Sequence, residues 1–288
     1  MSGDHAKDAN LQQPETIPIT VIGGYLGAGK TTLINRMLAQ PTLPAGTAVL
    51  VNDFGDINID AELIKSASPD GQVIGLSNGC ICCSISDDLS KALDQLGNLP
   101  LQQVIMETSG VAEPGRVWQH CHYPGFAPQA LVVVVDAENY SSQSKDKYVG
   151  QLVNAQVDQA DLLIVSKMEH NPAFQLPRLT AQLPTTDSSL IATVFGWTRQ
   201  HPSTAALSPT KNASFAAQTW QQQQAISLQE LHALLDERAE GVYRVKGWVE
   251  TTGGTMQVDR VGERLTLKPM AAQLPPAQLG LVFIYSKR

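Results

Sequence analysis

The N-terminal two thirds of the chain alternates short apolar runs with stretches in which apolar residues recur every three or four positions. Runs rich in β-branched residues predict strands, and the recurrence predicts amphipathic helices. The continuous run from Leu131 to Val135 is typical of a strand buried on both faces in a parallel sheet. Strands are predicted at Ile17–Ile22, Ala48–Asn52, Val73–Leu76, Val104–Glu107, Leu131–Asp136, Leu162–Ser166 and Leu190–Phe195.

Helical spacing recurs between several of these strands. Each stripe of apolar residues would place one side of a helix against a sheet. The alternation of strand and helix therefore predicts an α/β fold with a doubly wound, mostly parallel sheet. The stripes consist of Leu33, Ile34, Met37 and Leu38, then Leu89, Ala92, Leu93 and Leu96, and then Leu152, Val153, Gln156 and Val157.

The pattern changes in the last third of the chain. Between Gly196 and Gln224 Pro, Ser, Thr, Ala and Gln predominate, which indicates a linker or a partly ordered surface segment. Ser227 and Glu230 then predict a capping box for a helix that ends at Arg238. Strand patterns with Gly253-Gly254 as a hairpin turn follow. They cover Val242–Thr251, Met256–Val261, Leu265–Lys268 and Gly280–Tyr285.

These patterns divide the chain into four parts. Residues 1–15 are polar and predict a flexible tail, and residues 16–198 form the predicted α/β domain. A linker is predicted at 199–225, followed by a small α+β domain at 226–288.

Composition narrows the class of protein. Of the 288 residues, 43% are hydrophobic and 16% are charged, which is typical of a folded globular protein. The net charge of -7 and the lack of a basic stripe argue against nucleic acid as a partner. The sequence has neither an apolar signal core near its start nor an apolar run long enough to span a bilayer. We therefore expect a cytoplasmic protein that does not act at a membrane.

A glycine-rich segment, Gly24–Thr32, follows the first predicted strand and precedes a helical pattern. It matches G-x-x-x-x-G-K-S/T, whose backbone N–H groups surround phosphate oxygens at the start of a helix. Lys30 is expected to reach the β- and γ-phosphates, and the Thr31 hydroxyl to bind Mg²⁺. The segment therefore predicts a nucleotide site.

A carboxylate, Glu107, ends the strand Val104–Glu107 and is followed by Thr108-Ser109-Gly110. An acid at such a strand end, beside a phosphate loop, is placed to hold Mg²⁺. We expect Glu107 to have this role, with Glu in place of the usual Asp.

Three of the four cysteines lie close together, at Cys80, Cys82 and Cys83. Residues this close are poor disulfide partners, and thiolates favour Zn²⁺, Cu(I) or related ions. We expect two sulfurs to bind a metal, with carboxylate, His or water completing an open shell. Buried structural cysteines and a thiol redox switch are the alternatives.

An acidic loop follows the second predicted strand, in Val51-Asn52-Asp53-Phe54-Gly55-Asp56. Asp53 and Asp56 are candidate ligands for Mg²⁺ or for the thiolate-bound metal. Ordinary turn chemistry is the alternative for both.

In combination, G-G-Y-L-G-A-G-K-T-T, N-D-F-G-D, G-C-I-C-C and E-T-S-G-V-A-E-P closely resemble the CobW-type G3E GTPases, which include zinc chaperones. The resemblance spans the whole chain and implies a C-terminal CobW-type domain from about Val242. It implies nucleotide binding at Gly24, Gly27, Ala28, Gly29, Lys30, Thr31 and Thr32, metal at Cys80, Cys82 and Cys83, and a Walker B acid at Glu107. Asp53 stands where the family has Glu. We expect Lys30, Asp53 and Glu107 to act in catalysis, and Asp53 and Glu107 to bind Mg²⁺ together with Thr31.

The base-recognition segment departs from the family pattern. Where the family has N-K-x-D, this chain has Ser166-Lys167-Met168-Glu169. The acid of that motif accepts hydrogen bonds from guanine, which rejects adenine. Glu169 keeps the charge but adds a methylene, and Ser166 lacks the amide of Asn. We expect GTP and GDP as ligands at Ser166, Lys167 and Glu169, and these changes leave relaxed selectivity open.

The resemblance implies GTP hydrolysis and transfer of a bound metal to a client metalloprotein. Zn²⁺ is the expected metal, Co²⁺ and Ni²⁺ are alternatives, and a homo-oligomer is left open. We expect slow intrinsic hydrolysis, because the sequence shows no evident arginine finger or water-positioning Gln. Two other classes remain: a nucleotide-binding thiol redox sensor and a P-loop kinase without a metal-delivery role. His120-Cys121-His122 lies outside the matched motifs and is interpreted as helix surface or core.

Overall fold

The alternating part of the sequence builds a sheet with helices on both faces. The computed structural model describes residues 16–52, 72–76, 85–178, 180–199, 215–261, 264–270 and 279–286. Its N-terminal domain contains β1 (Ile17–Gly23), α1 (Lys30–Leu38), β2 (Thr47–Asn52), β3 (Gln72–Leu76), α2 (Ile85–Gly97), β4 (Gln103–Glu107), α3 (Pro114–His120), β5 (Phe126–Asp136), α4 (Tyr140–Gln143), α5 (Gly150–Asp158), β6 (Leu162–Ser166), β7 (Ala181–Pro184) and α6 (Leu190–Gly196).

The described strands of this domain form one seven-stranded sheet in the order β3-β2-β4-β1-β5-β6-β7. Every neighbouring pair in it is parallel. The carboxyl ends of parallel strands meet at one edge, where ligands of such folds bind. The loop after β1 and the last residues of β4, β5 and β6 are therefore neighbours.

The core lies on both faces of this sheet. On one face α2 and α3 pack against alternate residues of β1, β2, β4 and β5, including Leu50 and Met106. On the other face α1 and α6 pack against the intervening residues, including Val49 and Ile105. The predicted doubly wound, parallel α/β fold is confirmed.

One predicted strand is wrong. Leu190–Phe195 belongs to the helix α6, in which Leu190 and Val194 are buried four positions apart. A short apolar run fits either a strand or one side of a helix, and packing against the sheet decides. The edge strand at this place is β7, which the sequence patterns did not predict.

The C-terminal domain contains β8 (Phe215–Gln221), α7 (Leu228–Glu237), β9 (Val242–Thr251), β10 (Gly254–Val261), β11 (Arg264–Pro269) and β12 (Gly280–Ser286). These strands form an antiparallel sheet in the order β11-β10-β9-β12-β8. Part of the predicted linker at 199–225 is not a linker, because residues 215–221 form β8, which pairs with β12. The capping box is confirmed, since Ser227 and Glu230 bond reciprocally at the start of α7.

The C-terminal sheet packs on both faces. α7 covers one face through Leu231 and Leu235. The opposite face contacts the N-terminal domain, where Trp248, Val282 and Ile284 join a cluster with Tyr25 and Leu26. Within the described ranges, helices long and apolar enough to cross a membrane are absent.

Candidate functional site

The loop after β1 follows a path that only glycine adopts easily. Gly24, Gly27 and Gly29 have φ angles of 136°, 74° and 99°, a region that L side chains rarely adopt. A Cβ atom at Gly24 would also lie 2.4 Å from the carbonyl oxygen of Val134. The loop can therefore present backbone N–H groups to an anion at the start of α1.

The Lys30 ammonium is held across this loop. Lys30 begins α1 and is 5% exposed. Its Nζ donates hydrogen bonds to the carbonyl oxygens of Gly24 at 2.9 Å and Tyr25 at 3.4 Å. Since a buried ammonium requires polar partners, these carbonyls keep its positive charge at the inner edge of the loop.

Thr31 and Glu107 meet at the start of α1. The Thr31 Oγ1 donates a hydrogen bond of 2.9 Å to Glu107 Oε1, and Glu107 is 1% exposed at the end of β4. A threonine hydroxyl that donates its proton keeps its oxygen lone pairs. Oxygen atoms of this kind are the ligands that Mg²⁺ prefers, so the pair fits a hard divalent cation.

Ser166 connects the end of β6 to the phosphate loop. It is 5% exposed, and its hydroxyl donates to the carbonyl oxygens of Ala28 at 2.6 Å and Val135 at 3.2 Å. The hydroxyl is thus used inside the protein, and Ser166 is absent from the described residues that line the cavity.

Lys167 has a φ of 56° and is the only non-glycine residue with a positive φ in the described ranges. Its Nζ lies 2.6 Å from Asp136 Oδ2, at the end of β5. Asp136 is 3% exposed and also accepts hydrogen bonds from the backbone N–H of Glu138 and the amide of Asn139. This ion pair holds the backbone turn after β6.

Glu169 and His170 extend from that turn toward solvent. Their side chains are 69% and 40% exposed, and Glu169 Oε1 lies 3.6 Å from His170 Nε2. Both residues line the cavity described below. The Glu169 carboxylate is therefore accessible to a ligand.

A cavity of about 640 Å³ joins these groups and opens between the two domains. The N-terminal domain forms one wall, and the strands β9, β10 and β11 form the other. The cavity is lined by Gly27, Gly29, Lys30, Thr31, Thr32, Asn35, Lys167, Glu169, His170, Arg244, Lys246, Gln257, Asp259, Val261, Arg264, Thr266 and Lys268.

Sequence reasoning missed Asp136 and the second wall. Asp136 ends an apolar strand, and its pairing with Lys167 joins residues 31 positions apart. Arg244 and Lys246 lie on a strand that the sequence did predict, and Arg264 directly precedes the predicted strand Leu265–Lys268. Alternation of cationic residues along β9 was a usable signal, because alternate residues share one face of a strand.

Several predicted site residues lie outside the described residues. They are Asp53, Asp56, Cys80, Cys82 and Cys83. Among the residues that are described, groups of three or more His, Cys, Asp or Glu that could hold a metal are absent.

The His120-Cys121-His122 trio does not converge. Cys121 is buried in the core beside α3, whereas His120 and His122 are exposed. Burial raises the pKa of the Cys121 thiol to about 12, so this thiol is protonated near neutral pH. The interpretation of the trio as core and surface is confirmed.

Two family models match the chain. The model described as CobW/HypB/UreG, nucleotide-binding domain, matches residues 18–189. The model described as Cobalamin synthesis protein cobW C-terminal domain matches residues 215–287.

Curated relatives carry zinc chaperone names. The chain is 30% identical over 215 residues to "Zinc chaperone CobW" of Pseudomonas aeruginosa, covering 62% of this chain and 57% of that protein. It is 32% identical over 164 residues to "Zinc chaperone YjiA" of Escherichia coli, covering 53% and 50%. The chain thus spans about half the length of these relatives. A crystal structure of Zn(II)-bound YjiA GTPase from E. coli is 18% identical, covers 95% of each chain and has a TM-score of 0.39.

Proposed function

Because the chain belongs to the CobW/HypB/UreG family of nucleotide-binding proteins, we propose that it is a metallochaperone that binds and hydrolyses GTP. Its cargo is zinc or a similar transition metal, bound at Cys80, Cys82 and Cys83 and passed to a client metalloprotein. The observation that carries the nucleotide part is the cavity itself, which joins the Lys30 loop to the turn at Lys167 and Glu169.

The phosphate end of the cavity supports polyphosphate binding. Backbone N–H groups between Gly24 and Thr32 surround the phosphates, and the ammonium of Lys30 neutralises charge on the outer two. Because the carbonyls of Gly24 and Tyr25 hold this ammonium, it needs little reorganisation when the transferred phosphoryl group gains negative charge.

The proposal includes Mg²⁺ as the resident cofactor, held by Thr31 and Glu107 and, outside the described residues, by Asp53. When bound, Mg²⁺ would neutralise the negative charge that develops on the phosphate oxygens. Glu107 orients the Thr31 hydroxyl by accepting its proton in a hydrogen bond.

The base end of the cavity supports recognition of guanine. The Glu169 carboxylate can accept hydrogen bonds from guanine N1–H and its exocyclic amine. Lys167 is held by Asp136, and Ser166 joins this turn to the phosphate loop. Base and phosphates are thereby placed relative to each other by one hydrogen-bonded unit.

The cargo part is supported by the residues of the C-x-C-C motif and by the zinc chaperone names of two relatives. Thiolates bind Zn²⁺ with an open shell that a carboxylate such as Asp56 can complete. The motif lies between Asp53 and Glu107 in the chain. Its geometry should therefore respond to the γ-phosphate, and hydrolysis should release the metal to the client.

Zinc affinity in each nucleotide state tests the coupling. The protein is titrated against a chromophoric chelator without nucleotide, with GDP, and with a non-hydrolysable GTP analogue. Coupled sites differ by roughly 5- to 150-fold in affinity, and we expect a difference in that range. Equal zinc affinity in all three states would exclude nucleotide control of the metal.

Cysteine variants test the location of the metal. The variant Cys82→Ser/Cys83→Ser should lose stoichiometric zinc while retaining GDP binding. Cys121→Ala is the matched control, because this fourth cysteine is buried in the core. Retention of tight zinc by the double variant would contradict the assignment, as would its loss in the control.

Product analysis separates hydrolysis from phosphorylation of a small substrate. Intrinsic GTP turnover should be slow, at or below about 10⁻² s⁻¹, and should yield GDP and inorganic phosphate. A phosphorylated product in place of inorganic phosphate would support a kinase.

A further inference from the structure

The wall of the cavity that faces the phosphate loop is one face of the C-terminal sheet. Alternate residues of β9, β10 and β11 line the cavity, and the intervening residues Val245, Val258 and Leu267 pack on the α7 side. Such alternation follows from the strand period of two. The lining residues are Arg244 and Lys246 of β9, Gln257, Asp259 and Val261 of β10, and Arg264, Thr266 and Lys268 of β11.

Strand register orders these residues relative to the phosphate loop. Val261 contacts the loop so closely that a Cβ atom at Gly27 would lie 2.3 Å from its Cγ2. Arg244 and Arg264 are the cross-strand neighbours of Val261. Two guanidinium-bearing residues therefore flank the point where the C-terminal sheet meets the phosphate loop.

The remaining cations lie progressively farther from this point. Lys246 is paired with Asp259, two residues before Val261, and Lys268 with Gln257, two residues earlier again. Each step of two residues along a strand is about 7 Å. The wall thus presents a gradient of positive charge that is densest at the phosphate loop.

This positive charge is concentrated in an acidic protein. Of the described residues that line the cavity, six are Lys or Arg and two are Asp or Glu, although the net charge of the chain is -7. Arg244 is 9% exposed, and its Nε lies 3.5 Å from Asp259 Oδ1 without a hydrogen bond to any described residue. A buried guanidinium in a cavity is stabilised by an anionic ligand.

We propose that this basic face is the second half of the nucleotide site, with Arg244, Lys246 and Arg264 binding the terminal phosphate of a nucleoside triphosphate held by the phosphate loop. The inference rests on the proposed nucleotide binding and adds that the C-terminal domain contacts the γ-phosphate directly. A triphosphate then bridges the two domains, and a diphosphate makes fewer contacts with the sheet.

Arginine and lysine variants on the wall test this assignment. Affinities for GDP and for a non-hydrolysable GTP analogue are measured by calorimetry for the wild type, Arg244→Met and Lys246→Met. A hydrogen bond to a charged group contributes enough to change affinity roughly 10- to 150-fold. Arg244→Met should therefore weaken binding of the GTP analogue by at least tenfold. The affinity of this variant for GDP should change less than threefold. Lys246→Met should also weaken binding of the analogue more than binding of GDP, but by a smaller factor.

Two further variants complete the test. Arg178→Met is the matched control, because Arg178 pairs with Asp158 away from the cavity, and it should stay within twofold of the wild type for both nucleotides. Arg264→Met alters a side chain that is 39% exposed and pairs with Glu138, so it keeps the test available if Arg244→Met fails to fold. Circular dichroism checks folding.

The outcomes separate this inference from the proposed function. In one outcome the wild type binds both nucleotides while the wall variants leave both affinities unchanged or lower both equally. In that case the inference is overturned and nucleotide binding stands. If the wild type binds neither nucleotide, the proposed function fails and the inference falls with it. Selective loss of binding to the triphosphate analogue supports both the proposed function and this inference.

Discussion

The two ends of the cavity differ in how firmly the protein holds its own side chains. At the phosphate end, Lys30 and Glu107 are buried and hydrogen-bonded to other groups of the protein. At the base end, the Glu169 side chain is 69% exposed. The phosphate end is thus preorganised, whereas an exposed carboxylate loses rotational freedom when it binds a base.

The difference bears on where nucleotide affinity and base selectivity arise. Preorganised, buried groups contribute more binding free energy than exposed groups, because solvent screens them less and they need little reordering. We therefore expect most of the affinity at the phosphate end and weak selectivity at the base end. Variants at Gly27, Lys30, Lys167 and Glu169 test this contrast.

A single Cβ atom should disrupt the phosphate end. Gly27→Ala adds a Cβ 2.3 Å from Val261 at a φ of 74°, and we expect a loss of about 2–4 kcal/mol in the free energy of unfolding from overpacking and backbone strain. Gly241→Ala is the control, since its φ is 71° and its Cβ would meet open space. It should lose only about 1 kcal/mol, measured by urea denaturation.

The same experiment has a compensating variant. Gly27→Ala/Val261→Ala should recover part of the lost stability, because the smaller side chain vacates the space that the new Cβ occupies. Absence of any recovery would mean that Val261 is not the source of the clash.

Removal of the Lys30 ammonium should weaken nucleotide binding strongly. Lys30→Ala deletes a charge-assisted contact worth about 2–3 kcal/mol, so the dissociation constants of GDP and of a GTP analogue should rise roughly 30- to 150-fold. Lys91→Ala, an exposed lysine on α2, should leave both unchanged. An effect below threefold in Lys30→Ala would refute the contrast between the two ends.

The turn at the base end should depend on one ion pair. Lys167→Ala removes the partner of buried Asp136 and should cost about 1–2 kcal/mol in the free energy of unfolding. Lys167→Gly removes the same pair, but glycine adopts a φ of 56° without strain. Its free energy of unfolding should therefore be about 0.5–1 kcal/mol higher than that of Lys167→Ala. Equal stability of the two variants would show that this backbone conformation carries little strain.

A shorter acid should sharpen base selectivity. Glu169→Asp removes one methylene, and we expect the preference for GDP over ADP to rise roughly three- to tenfold, since the shorter carboxylate has fewer rotamers to lose. Competition binding of GDP, inosine diphosphate and ADP measures the change. A fall in preference would mean that the added methylene is needed for reach.

Much of the fold could be predicted from local patterns. β-branched runs located six of the seven strands of the parallel sheet, and Ser227 with Glu230 located the start of α7. The failure at Leu190–Phe195 has a simple cause, because an apolar run of six residues fits a strand or a helix and only the neighbouring sheet decides.

Local sequence specifies the phosphate loop, the strand–loop–helix context around it and the alternation of cations along β9. Each depends on a few neighbouring residues, since backbone conformation and strand period are local properties. In contrast, the pairing of Lys167 with Asp136 and the positions of Arg244 and Arg264 beside the loop at Gly27 exist only in the folded chain. Those contacts join distant parts of the chain, and they arise from sheet order and domain packing, which no local pattern encodes.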